Sequence, residues 1–323
     1  MNLIDYLDSG GRAMGVGEML LANNMNMNAL RTNRILQSDE WKDFDDRIIM
    51  SATKVLNIYA DLLSEGLVYQ LSDMGYRVTQ WTTEGDRVEA IVAMEPDAAG
   101  LRDLVNFEDV KLPIPCIIAD YKIGLREILA SRREQRPIDT LNADRAGRRI
   151  GEGVEKMIVH GYGNSIEGQR IYGLLTHPAR ATEAFTDPFN AETAPEMILR
   201  LIDIMEENKF FGAKYNLYMP VGMSSVLYKM MPDTHGKMLK THLEEIDLIN
   251  TIKPSSMIPR GNMVLVRMDA DTIDIAEAQE LINVEWDIKG GMSFEYRALT
   301  ALVPRLKARQ DNTMGIVHAT FAA

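Results

Sequence analysis

Five histidines, at positions 160, 177, 235, 242 and 318, one cysteine and 47 Asp plus Glu residues are the side chains best equipped for chemistry in this chain. A metal centre or an activated nucleophile needs such groups at recognisable spacings, and the histidines show none of the familiar ligand patterns. His242 with Glu244 and Glu245 forms HLEE, which lacks the second histidine of a helical zinc motif and reads as a solvated helix face. Cys116 stands between prolines in an apolar run and is expected to be a buried structural thiol. The glycine-rich segments GGRAMGVG and HGYGNSIEG lack the Gly-Lys-Ser/Thr ending of a phosphate loop, and the first follows no predicted strand. No catalytic residue, cofactor site or metal site is assigned, and the chain reads as a non-enzyme.

One charged region stands apart. The chain carries a formal net charge of -12, which argues against a protein devoted to gripping phosphate backbones. Residues 122–156 nevertheless hold nine Lys and Arg against six Asp and Glu. Within them Arg126, Arg132, Arg133 and Arg136 are interleaved with Glu127, Glu134 and Asp139, a mixture suited to forked hydrogen bonds with carboxylates on another subunit. The plain alternative is an exposed charged loop. No aromatic side chains lie among these arginines to stack on bases.

The elements that must carry these residues are legible in outline. Residues 1–37 read as an N-terminal arm. Apolar residues recurring from Ser38 to Leu63 predict one amphipathic helix ending at Gly66. The segments YRVTQW and RVEAIVAM, flanking TTEGD, predict a hairpin over residues 76–94. The proline-bounded run that follows predicts a projecting β-loop over 117–139. Thr140 is a candidate cap for a helix over 140–160, in which Gly147, Gly151 and Gly153 call for close backbone packing. From residue 189 helices and strands alternate as a second, α/β lobe to residue 290, and 291–323 return as strands to the first lobe, 38–188. A single cysteine suits a reducing compartment. The opening residues lack the pattern of a secretion signal, and no apolar run has membrane-spanning length.

The segment LPIPCIIADYKIGLREILASRREQRPIDTLNADRAGRRIGEGVEKMIVHGYGNSIEGQRIYGLLTHP resembles the extended-loop and spine-helix region of encapsulins and tailed-phage major capsid proteins. Its parts are the strand at Ile117 to Ile123, the loop from Arg126 to Pro137, the exit at Asp139 to Leu141, the helix from Ala143 to Val159 and the Ile171 to Leu174 segment. The likeness covers residues 110–180 closely and 190–310 in layout. It implies an α+β Hong Kong 97-type capsid fold, with an N-terminal arm, an extended β-loop, a peripheral domain with a spine helix and an axial α/β domain. It also implies a major capsid protein whose pentamers and hexamers close an icosahedral shell around double-stranded DNA, bound without sequence specificity. Portal and scaffold or cement proteins would be its partners, the virion capsid its location and the bacterial cytoplasm its place of assembly, with no membrane contact. The alternative within the same fold is an encapsulin nanocompartment enclosing cargo enzymes; a soluble enzyme with an unrecognised site is the alternative outside it. The arm at 1–37 is expected to be retained and ordered between subunits.

Overall fold

The computed structural model describes residues 38–84 apart from 72, 107–134, 140–212, 214–231, 237–288 and 293–322. The arm, and the proposal that subunits order it, lie outside them. The expected first helix is two: α1 (Ser38–Thr53) and α2 (Ile58–Ser64). The break survives because a distant carboxylate restarts the second helix. Glu155 Oε1 accepts hydrogen bonds from the backbone N–H groups of Ile58 at 2.7 Å and Tyr59 at 3.4 Å. These would otherwise be orphan donors at a buried helix start.

After β1 (Val68–Gln70), β2 (Val78–Glu84) pairs antiparallel with β3 (Phe107–Pro113), from Val78 opposite Pro113 to Glu84 opposite Phe107. This partner begins some twenty residues beyond the start of RVEAIVAM, the partner expected from the sequence, which lies outside the described residues. The base of this ribbon is pinned. Arg305 grips Asp274 through two hydrogen bonds of 2.5 and 2.7 Å and donates a third to Thr79 of β2 at 3.2 Å.

Within the projecting loop expected at 117–139, the strand expected at Ile117–Ile123 is present, but it is paired in a sheet and the loop expected from Arg126 is a helix over its described part, residues 135–139 lying outside the described residues. Cys116–Gly124 form β4, paired with β12 along its whole length, and Leu125–Glu134 form helix α3. The reason is an alternation that proline punctuation obscured: Ala119, Tyr121 and Ile123 are buried while Ile118, Asp120 and Lys122 face outward. Ile128, fully buried, then ties α3 to the core. Cys116, expected inside, is exposed because it opens the strand at the sheet edge.

Helix α4 (Leu141–His160) is the axis of the first lobe. Thr140 precedes it but makes no side-chain cap, and Gly161, at φ +71°, ends it. Every fourth residue from Ala143 through Gly147 and Gly151 to Glu155 forms one ridge. A Cβ on Gly147 would stand 2.4 Å from the Ile48 carbonyl oxygen, and one on Gly151 2.7 Å from that of Ala52. The predicted close packing is therefore backbone against backbone, between α4 and α1.

The remaining elements are β5 (Gly161–Ile166), β6 (Gln169–Tyr172), β7 (Ala181–Pro188), α5 (Ala194–Glu207), β8 (Tyr215–Pro220), a 3-10 helix (Val221–Tyr228) and α6 (Leu239–Glu244). They continue with β9 (Ile249–Ser255), β10 (Asn262–Arg267), β11 (Ile273–Ile288), β12 (Ser293–Leu306) and β13 (Ile316–Ala322). One sheet has the order β1-β11-β12-β4 and another β7-β13-β10-β8-β9. The expected lobe boundaries at 189 and 290 shift accordingly. β11 leaves the second lobe at Ile273 because it pairs antiparallel with β12, its neighbour in sequence. β13 does not stay in the first lobe; it inserts between β7 and β10 of the second sheet. That sheet separates two cores by strict alternation. Tyr218, Val264, Val266 and Ile316 face the α4 core, whereas Leu217, Met263, Leu265 and Val317 face α5 and α6.

A methyl group at Gly147 should therefore destabilise the chain although alanine favours helices by about 1 kcal/mol. Gly147→Ala is expected to cost about 1–3 kcal/mol in denaturant unfolding of the unassembled subunit, as overpacking does. Gly163→Ala, whose added Cβ meets nothing within 4 Å, should be close to neutral.

Candidate assembly surfaces

The side chains that lock the frame converge where α4, α2 and the second sheet meet. Glu155 is 1% exposed and caps α2 from α4. Asp61 of α2 accepts a 2.9 Å hydrogen bond from the Tyr218 hydroxyl on β8 and pairs with Lys253 on β9. Asn57 donates to the Pro254 carbonyl at 3.1 Å, and Asn216 to the Tyr218 hydroxyl at 3.2 Å. Burial pushes the Glu155 carboxyl up to about 7 against the opposing pull of three backbone N–H groups, with the Asp61 charge adding to the rise. Burial likewise raises the Tyr218 phenol, and next in weight comes the Asp61 charge. Sequence reasoning missed this junction. Its one legible signal is that Glu155 continues the Gly147–Gly151 ridge at the next fourfold step.

A second cluster joins histidines that the sequence held far apart. Arg180 donates to His318 Nδ1 at 3.3 Å and to the His177 carbonyl at 2.7 Å, while the other His318 ring nitrogen meets Asn262 Oδ1 at 2.8 Å. Burial and the Arg180 charge lower both imidazoles to about 4. His160 bonds the Met257 carbonyl. In the HLEE segment Glu244 pairs with Lys240 and Glu245 with Lys237. Among the described residues no three His, Cys, Asp or Glu side chains gather as a metal site.

The charged residues singled out from the sequence fall on α3. Arg126, Glu127, Arg133 and Glu134 are exposed there, Arg126 and Arg133 two turns apart as are Glu127 and Glu134. Arg132 lies on the same helix, its side chain outside the description; Arg136 and Asp139 lie outside the described residues. Two further surfaces had no place in the sequence reading. The ribbon β2–β3 packs Leu112 and Trp81 on the frame at its base, then runs outward to the exposed pair Thr82 and Asp109. On the second lobe Phe211, Val221, Tyr228 and Met230 are each more than half exposed. Val221, Tyr228 and Met230 fall in or just after the 3-10 helix, whereas Phe211 stands before β8, at its other end.

Comparison with known proteins puts these surfaces in context. The Linocin_M18 family model, described as encapsulating protein for peroxidase, matches residues 80–299. Similar solved structures include a virus-like particle from Pyrococcus furiosus, at 14% identity and TM-score 0.60, covering 86% of this chain and 98% of that one. The capsid of Myoviridae phage XM1 matches at 11% identity and TM-score 0.59, over 80% of this chain and 91% of that one. The capsid of an empty GTA particle matches at 16% identity and TM-score 0.61, over 83% and 92%. No curated protein sequence matches the chain.

The buried acid and the two histidines make opposite contributions to stability. Glu155, raised from 4.5 to about 7, favours the fold fully below pH 4.5 and loses that contribution, about 3 kcal/mol, as pH rises through 7. Glu277, raised by burial, acts in the same sense. His177 and His318, lowered to about 4, stabilise above 6.5 and lose that as pH falls toward 4. Thermal unfolding of the unassembled subunit should thus be most favourable to the fold near pH 6.5. Glu155→Gln should remove most of the decline on the alkaline side; an unchanged alkaline limb would contradict the assignment.

Proposed function

The chain belongs to the encapsulating-protein family and has the Hong Kong 97-type capsid fold, and we propose that it is the major capsid protein of a tailed phage. Copies of it would assemble as pentamers and hexamers into an icosahedral shell around double-stranded DNA, with portal and scaffold or cement proteins as partners, in a virion built in the bacterial cytoplasm. The observation that carries this reading is the β2–β3 ribbon. A two-stranded ribbon is marginal alone in water, yet among the described residues this one reaches the exposed pair Thr82 and Asp109 with its two strands paired to each other alone. A neighbouring subunit supplies the missing cover. At -12 per copy, subunits repel at long range, so the contacts must combine buried apolar area with local charge complementarity. The exposed apolar residues of the second lobe suit the first role and α3 the second. Arg126, Glu127, Arg132, Arg133, Glu134, Arg136 and Asp139 form the proposed charged contact.

A second reading, a nanocompartment around cargo enzymes, is favoured by the family description itself. The phage reading is supported by the similarity of the fold to capsid structures, that of Myoviridae phage XM1 among them.

Expression of the full chain, followed by sedimentation and electron microscopy, should yield closed particles; a monomer at every concentration would overturn the reading. Particles filled with a co-purified enzyme and free of nuclease-protected DNA would favour the nanocompartment. Replacing Arg132, Arg133 and Arg136 together by Ala should leave unfolding within about 1 kcal/mol per residue of the parent, as for exposed charges. It should divert the chain into free capsomers or irregular shells. Normal particle yield would remove these arginines from the contact.

A further inference from the structure

The backbone contact between α1 and α4 also creates a cleft whose charge runs against that of the whole chain. It has a volume of about 290 Å³ and is lined by Arg47 of α1, Lys54 just past its end, and Arg145 and Arg148 of α4, around Ser51 and Asp144. All four cations are exposed. Among the described side chains none of them pairs with a carboxylate; the one acid in the cleft, Asp144, accepts a 3.0 Å hydrogen bond from the Ser51 hydroxyl. Arg47 and Lys54 are two turns apart on one face, roughly 10 Å along the axis, and Arg145 and Arg148 are neighbours at three residues. Gly147 and Gly151 hold the two helices too close for this geometry to relax. The backbones that carry the cations are thereby held together, and among the residues lining the cleft Asp144 is the one acid.

We propose that this cleft is a sequence-independent docking point for the phosphate backbone of double-stranded DNA, a contact that rests on the capsid reading and names the residues through which the shell touches its contents. Four cations against one occupied carboxylate select a polyanion. The lining contains no aromatic side chain, so base stacking, the mark of single-strand binding, has no platform. An acidic protein segment carries its carboxylates at low charge density and condenses few counterions, so little is gained by their release. Duplex DNA, with one charge per about 1.7 Å of axis, instead gains from release of condensed counterions.

The test is a titration of unassembled full-length subunits with a fluorescent duplex of about 30 base pairs, read by anisotropy between about 50 and 200 mM salt. The unaltered chain should bind more weakly as salt rises. The triple variant Arg47→Ala, Arg145→Ala, Arg148→Ala should reduce the slope of log affinity against log salt by roughly 2.7, and the corresponding triple Lys variant should keep it. Single Arg47→Gln and Arg148→Gln changes, each expected to remove roughly 0.9, decide the matter if the triple variant unfolds. An unchanged slope in the Ala or Gln variants, or no binding by the unaltered chain, would overturn the proposal. So would polyglutamate binding as tightly as DNA and being lost in the same variants, which would identify an acidic protein segment as the occupant. Particle formation by the same variants is read separately by sedimentation. Shells without the slope change refute the DNA contact alone, whereas absence of shells from the unaltered chain refutes the capsid reading.

Discussion

The approach of α4 to α1 at Gly147 and Gly151 is the contact on which the rest of the molecule depends. Each missing side chain lets a carbonyl of the other helix come closer than any Cβ could tolerate. That closeness has three consequences. It seals Ile48 and Ala52 into the core, and it sets the place where α1 must end and α2 begin. It also points the next residue on the ridge, Glu155, at the start of α2. Helical glycine is unfavourable by roughly 1 kcal/mol per position, and here the loss is offset by packing that no larger residue allows.

From that junction the frame spreads by polar bonds across an apolar interior. Asp61 is held by a tyrosine and a lysine from two strands of the second sheet, so α2 acts as a bracket between the lobes. Such a buried network is costly if half satisfied and confers a single arrangement when complete. Glu155 departs from completeness at one atom, since its second carboxylate oxygen has no hydrogen-bond partner, consistent with a carboxyl that holds its proton up to near neutrality.

The two lobes are threaded, not strung in series. The β11–β12 hairpin belongs to the first sheet, yet the strands on either side of it in sequence, β10 and β13, lie side by side in the second. Neither lobe can unfold without pulling on the other. In the proposed shell this makes the subunit a stiff unit whose adaptable parts are the ribbon, α3 and the exposed apolar rim. Contacts between acidic copies can then stay individually weak while the frame that presents them stays fixed.

Periodicity and local chemistry were enough to read the element types along most of the chain. The 140–160 helix, its glycine-driven packing, the strands at 215, 262, 293 and 316 and the resemblance to capsid proteins all rest on patterns within a few residues of one another. The sequence also placed Arg126, Glu127, Arg133 and Glu134 close together, and they share the exposed helix α3. The resemblance placed a strand at Ile117–Ile123, but local pattern could not show its partner, because β12 lies far along the chain, nor that β2 pairs with the strand at Phe107–Pro113. The division of α1 from α2 likewise needed Glu155, almost a hundred residues away. The surfaces follow the same rule. Arg126 and Arg133 share a helix and were legible together, whereas Arg47 and Arg148 line one cleft only because two glycines draw their helices into contact. Local spacing determines which conformation a segment prefers; pairing, capping and clustering between distant segments are decided by tertiary packing, because a hydrogen bond or charge acts over a few ångströms of space and not along the chain.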